Sequence, residues 1–343
     1  MKKNIVFSII IPVRSSNPYL EETLKKLKKQ SFKDFEVLVI TDKVSLQQGS
    51  STHQLGPSFK RNLGAKMAKG QYLAFLDDDS YPSINWLKSA FKILSTKQNI
   101  AAVCGPCLTP PKDNYLKQAS GLVWSSYLGS GGAGTYRNRP QKSRFVDDYP
   151  TVNLIVKKSD FEAIGGFNNN FWPGEDTILC LDLTKKLKKN ILYHPSIMVY
   201  HHRRDVIIPH LQQITRYAIH RGHFAKIYPE TSRKIGYFVP TLFTLYLFIL
   251  IIINLLKLSN FHLPIYIDII SKIPLYLYLS ILLFTFFKFI YQKNKIKTSL
   301  LATITIPLTH IYYGILFMLG LLKKQLDFQP HQVDKKTGKY IGG

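Results

Sequence analysis

The chain has 343 residues, 45% of them apolar, enough for a sizeable core in one large domain or two smaller ones. Its 46 basic and 21 acidic residues leave a net charge of +25, which points to an anionic partner: nucleic acid, an anionic membrane surface or a phosphorylated substrate. Three cysteines, Cys104, Cys107 and Cys180, are too few and too odd in number for a disulfide framework. They fit a reducing compartment.

Met1-Lys2-Lys3-Asn4 runs into an apolar stretch that Ser8 and Pro12 interrupt, with no small-residue cleavage site before the charged segment Glu21–Lys29. Ile5–Ile11 is therefore predicted as a buried strand. Asn17-Pro18 reads as a helix N-cap with Pro at the first helical position, and Leu20, Leu24 and Leu27 follow at helical spacing. Phe35–Ile40 is a second apolar strand. Ser58–Lys69 reads as a helix with Phe59, Leu63 and Met67 on its apolar face and Gly70 as its stop. Tyr72–Leu76 is a third strand. Strands alternating with helices predict an open, mostly parallel α/β sheet flanked by helices.

Polar residues follow each strand: Pro12-Val13-Arg14, Thr41-Asp42 and Asp77-Asp78-Asp79. In open α/β sheets ligands bind beyond the carboxyl ends of strands, so these three segments are expected to border one crevice. Adjacent carboxylates repel one another unless a cation neutralises them, and hard oxygen ligands suit Mn²⁺ or Mg²⁺. A solvated acidic turn is the other reading of the triplet.

The middle third is less regular. Cys104-Gly105-Pro106-Cys107 has redox-motif spacing. Leu108-Thr109-Pro110-Pro111 cannot continue the helix a thioredoxin-type site needs, so the cysteines read as structural. Gly129–Gly134 reads as a mobile loop, followed by Arg137, Arg139, Lys142 and Arg144. Val152–Val156 is a predicted strand, and Glu175–Lys189 a predicted helix with Ile178, Leu179, Leu183 and Leu187 on its apolar face.

Beyond Arg233 the composition shifts to Leu, Ile, Phe and Tyr. Phe238–Leu256 is uncharged over 19 residues and long enough to span a bilayer. Residues 273–291 and 300–322 are read as two further spans, and Phe261–Ile270, which carries Asp268, as interfacial or re-entrant. Three spans place Arg233-Lys234 and Lys293, Lys295 and Lys297 on one side, the cytoplasmic side by the positive-inside rule, and Lys323-Lys324 on the other, against it. The expected organisation is a catalytic region at 1–233, a membrane region at 234–325 and a polar tail at 326–343.

Ile9-Ile10-Ile11-Pro12, Glu36–Asp42, Gly56-Pro57 with Arg61-Asn62-Leu63-Gly64, and Phe75-Leu76-Asp77-Asp78-Asp79 occur in an order that resembles family 2 glycosyltransferases of the GT-A fold. Gly165-Gly166-Phe167, Gly174-Glu175-Asp176-Thr177 and His201 continue the resemblance, which covers roughly residues 5–225. It implies transfer of a sugar from a nucleotide-sugar donor, with inversion and a divalent metal. Carried onto this chain, it implies that Pro12, Asp42 and Arg61 border the nucleotide and that Asp77 and Asp79 hold ribose and metal. Asp78 would touch the donor or shape the turn. His201, or the adjacent His202, would complete the metal shell. Asp176 would be the general base, with Glu175 and Trp172 on the acceptor side. Two departures, Val13-Arg14-Ser15 after Pro12 and Lys43 after Asp42, leave the nucleotide base open.

The expected partners are a nucleotide-sugar donor, a lipid-linked or glycan acceptor, and membrane lipids. The expected location is the cell membrane, multi-pass, with the catalytic region cytoplasmic. Basic residues at His201–Arg204 and at Arg216, His220, Arg221 and His223 fit a juxtamembrane surface facing anionic lipid heads or a diphosphate-linked acceptor. No nucleic acid is expected, although a membrane-tethered polyanion-binding protein without transferase activity is the alternative that the charge allows.

Overall fold

The computed structural model describes residues 5–48, 56–171, 173–259, 264–326, 332–333 and 340–341. By their contacts they fall into two units. One comprises Met1–Pro110, Arg137–His202 and Asp327–Gly343, the other Pro111–Tyr136 and Arg203–Leu326.

The chain opens with β1 (Phe7–Pro12), α1 (Pro18–Leu27), β2 (Phe35–Ile40), α2 (Asp42–Gln47), α3 (Pro57–Met67), β3 (Tyr72–Phe75) and β4 (Ser80–Pro82). It continues through α4 (Trp86–Leu94), β5 (Ile100–Cys104), β6 (Cys107–Leu108), α5 (Tyr115–Ser125) and α6 (Tyr127–Asn138). Then come β7 (Arg144–Val146), β8 (Leu154–Lys157), α7 (Lys158–Ala163), α8 (Glu175–Leu181), β9 (Asn190–Tyr193) and β10 (Val199–His201). The remainder is helical, α9 (Ile208–Ile227), α10 (Pro229–Ser232), α11 (Ile235–Leu258), α12 (Ile265–Tyr291) and α13 (Ile296–Leu322), apart from an antiparallel pair of short strands, β11 (Gln332–Val333) and β12 (Tyr340–Ile341).

The first unit is built on a seven-stranded sheet in the order β2-β1-β3-β8-β5-β9-β7. β1 pairs parallel with both β2 and β3, as the alternating pattern predicts. β8 lies antiparallel between β3 and β5, so the sheet is mixed. All six residues of β1 are buried because both faces are covered. Phe7, Ile9 and Ile11 pack with Leu20 and Leu27 of α1 and with Trp86 and Leu87 of α4. Burying each such side chain contributes about 1.5–3 kcal/mol. On the opposite face α3 comes close enough that a Cβ at Gly64 would overlap the Ile10 side chain. The second sheet has the order β4-β10-β6, with His201 of β10 opposite Ser80 of β4.

Several sequence expectations change. The α3 helix forms, but its buried residues are Ser58, Lys60, Arg61, Gly64 and Ala65, while Met67 is exposed. The apolar stripe misled because Lys60 and Arg61 are buried by charge pairing. Gly129–Gly134 is not a loop: it lies within α6, whose helix is broken only at Gly131, where φ is 63°. The helix predicted at 175–189 is α-helical to Leu181 and continues as a π-helical turn, Asp182–Lys186. Ile265–Ile270 is the start of α12 rather than a separate segment, and its Asp268 pairs with Lys257 at 2.7 Å and Lys272 at 2.9 Å. Residues 261–263 lie outside the described residues.

The second unit takes in residues 111–136 and 203–233 together with α11, α12 and α13. These three helices are long and apolar enough to cross a membrane. They run from Ile235, Ile265 and Ile296, where the predicted spans begin at 238, 273 and 300.

Candidate active site

The acidic triplet leaves β3 in a tight turn. The Leu76 amide continues the ladder to the Ile10 carbonyl, and both the amide and the hydroxyl of Ser80 donate to the Asp77 carbonyl, at 3.2 and 2.8 Å. The chain then enters β4, and the β4–β10 register sets His201 beside the turn. His201 Nε2 lies 3.2 Å from Asp79 Oδ1, and the His202 amide donates to the Asp79 carbonyl at 3.0 Å. One ligand atom from each of Asp77, Asp79 and His201 falls within 4.8 Å of the other two. Two carboxylate oxygens and an imidazole nitrogen are a donor set that fits a divalent cation.

Asp78 points elsewhere, accepting from Asn17 Nδ2 at 2.5 Å. Burial, reinforced by repulsion from Asp79, raises its pKa despite that bond. Asn17 also caps α1, accepting from the Leu20 amide at 2.9 Å, so one side chain ties the helix start to the triplet. His202 faces away from the trio. Its Nε2 is 3.1 Å from Glu22 Oε2, and its ring packs near Tyr19 and Tyr81.

Arg61 links this turn to the start of α8. Its guanidinium donates to Asp77 Oδ1 at 2.8 Å and to Glu175 Oε1 at 2.9 Å. Burial disfavours its charge, but Asp77 and Glu175 more than offset that and hold its pKa above the ordinary value. Next to it, Asn62 makes a reciprocal pair with Phe167, donating to its carbonyl at 2.8 Å and accepting from its amide at 2.9 Å. Gly165 and Gly166 turn the chain there with φ of 81° and 78°, a conformation that glycine adopts freely. The ordered motifs of the sequence are therefore joined by side-chain contacts.

Glu175 is buried, and burial, with Asp176 acting in the same direction and Arg61 opposing, raises its pKa to about 7. Its second oxygen accepts from the Gly174 amide at 3.0 Å. Asp176 is only partly buried, and its Oδ1 accepts from the Thr177 amide at 2.8 Å. Thr177 donates to Asp148 Oδ1 at 3.2 Å, while Arg137 donates to the Asp148 carbonyl at 2.7 Å, so α8 begins on a fixed base. Trp172 lies outside the described residues.

Pro12 ends β1 opposite Ile40, and Asp42 is the first residue of α2. Asp42 forms an ion pair with Lys60, whose Nζ also donates to the Val13 carbonyl at 2.8 Å. Burial lowers the Lys60 pKa against the pull of Asp42. Lys60, Asp148 and the bond from the helix cap Asn17 to Asp78 escaped the sequence reading. No periodicity marks a buried lysine or aspartate, and only the contacts reveal them. Gly105 accepts from Tyr149 Oη at 2.5 Å and Asn153 Nδ2 at 2.6 Å, between the buried Cys104 and Cys107. Burial pushes the Cys104 thiol well above its ordinary pKa, as expected of a structural cysteine.

Over residues 8–234 the sequence matches the family described as "Glycosyltransferase like family 2". A Campylobacter jejuni GalNAc(5)-diNAcBac-PP-undecaprenol beta-1,3-glucosyltransferase is 31% identical over 212 residues, 56% of this chain and 63% of that protein. The poly(ribitol-phosphate) beta-N-acetylglucosaminyltransferase TarS of Staphylococcus aureus is 33% identical over 102 residues, 24% of this chain and 18% of its own length. The chain thus spans less than two thirds of the length of these curated relatives. Among solved structures, the mannosyltransferase PcManGT from Pyrobaculum calidifontis, in complex with GDP-Man and Mn²⁺, is 17% identical. It aligns over 92% of this chain and 86% of its own with a TM-score of 0.48.

Proposed function

The chain belongs to glycosyltransferase family 2, and from that membership we propose that it is a membrane-anchored, inverting enzyme. It moves a sugar from a nucleotide-sugar donor to a hydroxyl of a lipid-linked or surface-glycan acceptor. The observation that carries this reading is the convergence of Asp77, Asp79 and His201 from a strand end and a distant strand. Their donor set fits Mn²⁺ or Mg²⁺, which when bound would offset charge growing on the leaving diphosphate.

The protein's own groups do the rest. Asp176 takes the proton of the acceptor hydroxyl as that oxygen bonds to the anomeric carbon. The bond from that carbon to the diphosphate oxygen breaks on the opposite face, and the electron pair leaves with the nucleoside diphosphate. Glu175, held by Arg61 and the Gly174 amide, fixes the start of α8 and with it the base. Pro12 and Asp42 border the nucleotide, with Asp42 held by Lys60. Trp172 is assigned to acceptor binding. The catalytic region is taken to be 1–233, facing the cytoplasm. The names of the relatives support a lipid-linked or polymer acceptor.

The test is a donor screen with the purified full-length chain and Mn²⁺, reading released nucleotide. Chelation and Asp79→Asn should each lower release at least a hundredfold. Release that survives both sinks the metal assignment. Salt-sensitive binding of nucleic acid with no release from any donor favours the polyanion-binding alternative.

A further inference from the structure

The three apolar helices are packed against one another in an informative way. α11 runs antiparallel to α13: the Phe238 and Phe317 rings lie 4.9 Å apart, Thr241 donates to the Gly314 carbonyl, and Thr244 reaches the Ile311 carbonyl. α12 is antiparallel to α13 across the short turn before Ile296, with Tyr278 Oη 3.0 Å from His310 Nδ1. α11 and α12 are antiparallel as well. Phe243 stacks on Tyr278 at 4.2 Å, while Lys257 meets Asp268. Helices standing along a membrane normal have only two directions to share, so among three of them one pair must run parallel. Here no pair does, and at least one helix lies far from the normal.

The packing identifies α13 as that helix. In its most apolar window 39% of the residues are buried, against 11% for α11 and for α12. The buried residues Ala302, Thr305, Thr309, Tyr313, Phe317 and Gly320 form one stripe at helical spacing. Leu300, Ile304, Leu308, Ile315, Leu319 and Leu322 are exposed on the rest of the helix.

The stripe is covered by α9 and α5 through apolar clusters and hydrogen bonds together. α9 follows its second half, with His210 Nε2 3.1 Å from Thr309 Oγ1, Thr215 Oγ1 2.9 Å from Tyr312 Oη, and His223 Nδ1 3.3 Å from the Lys323 carbonyl. A Cβ at Gly222 would overlap the Phe317 carbonyl, and one at Gly320 the Ile219 carbonyl, so the two backbones touch. α5 covers the first half, where Ala119 and Val123 join Ala302 and Ile306 in one cluster. α9 exposes Gln212, Gln213, Arg216 and Lys226. If α13 crossed the bilayer, α9 would carry these side chains into hydrocarbon, where an unpaired Arg or Lys is strongly disfavoured.

We infer that α11 and α12 cross the bilayer as a pair, and that α13 does not. α13 lies in the boundary between headgroups and acyl chains, its exposed apolar stripe in the lipid and α5 and α9 along its other side. A helix with one apolar face settles there with that face about 5–10 Å deep. The basic clusters then agree with the positive-inside rule, while Lys257 and Lys272 at the far end of the pair are matched by Asp268. Arg233 and Lys234 before α11, Lys293, Lys295 and Lys297 after α12, and Lys323 and Lys324 after α13 all fall on one side. The partner of this surface is the anionic face of the bilayer, which these cations meet.

Single-cysteine labelling of the full chain in intact cells with a membrane-impermeant maleimide tests the arrangement. The native cysteines are buried, and the unsubstituted chain sets the background. Ser259→Cys should label in intact cells. Lys295→Cys and Lys324→Cys should label at least tenfold more after permeabilisation than before. Labelling of Lys324→Cys in intact cells to the level of Ser259→Cys overturns the placement of α13. Protection of Ser259→Cys until permeabilisation overturns the crossing pair. Should position 324 take no label on either side, Gln325→Cys decides by the same comparison. The labelling reads position alone, so a failed transfer assay leaves it standing.

Discussion

Asp176 and Glu175 are chain neighbours placed in different surroundings, one partly open and one buried against Arg61. The proposed division of labour follows from that difference. Asp176→Asn should lower transfer by about 10²- to 10⁴-fold while nucleotide-sugar affinity, measured by calorimetry, holds within a factor of two. Glu175 offers a stability test. Its folded pKa of about 7 lies above the ordinary 4.5, so the folded chain retains a proton that the unfolded chain has released. Stability should therefore fall as pH rises from about 4.5 to 7 and level off above. Glu175→Gln, which can still accept from Arg61, removes this titration. Its melting temperature should change less between pH 5 and 7 than that of the parent, and equal slopes would reject the assignment. At this scale the sequence was readable where charge had to gather, as in the triplet. It was not readable for buried Lys60, nor for the reach of the helix cap Asn17 to Asp78, because both depend on partners distant in the chain.

Among elements, the parallel trio β2-β1-β3 and helix α1 were legible, because buried strands and capped helices leave strong local patterns. β4 and β10 were not, since three-residue strands carry no period. Yet their register is what sets His201 against the triplet. The face of α3 was misread because apolar spacing predicts burial only where no charge pair competes for the interior. Asn62 gives a direct measure of how α3 holds the Gly165-Gly166-Phe167 turn. Asn62→Ala removes both of its bonds to Phe167 and should cost about 1–3 kcal/mol in denaturant unfolding. A loss below about 0.5 kcal/mol would mean that the turn holds itself.

At the scale of the whole molecule, composition separated the polar first two thirds from the apolar last third. It could not show that α5 and α9 group by contacts with the apolar helices, since both are polar enough to read as part of an ordinary soluble domain. Two kinds of attachment are combined in that unit: charge at Arg233, Lys234 and Lys293–Lys297, and long exposed apolar faces on α11 and α12. In 1 M salt the screening length is about 3 Å, so electrostatic attachment alone would be lost. The chain should stay in the membrane pellet through washes in 1 M salt and in alkaline carbonate, and leave it only with detergent. Release by salt would show that charge alone holds it.

The β4–β10 ladder also bears on the birth of the protein. Asp77 and Asp79 leave the ribosome well over a hundred residues ahead of His201. At about 5–20 residues per second this is a wait of roughly 6–24 s. During that interval β5, β8 and β9 are made, and the sheet can assemble around an acidic turn that still lacks its imidazole. The proposed cation site is thus among the last features of the first unit to be completed. It closes only shortly before the first long apolar helix, α11, follows it out of the exit tunnel.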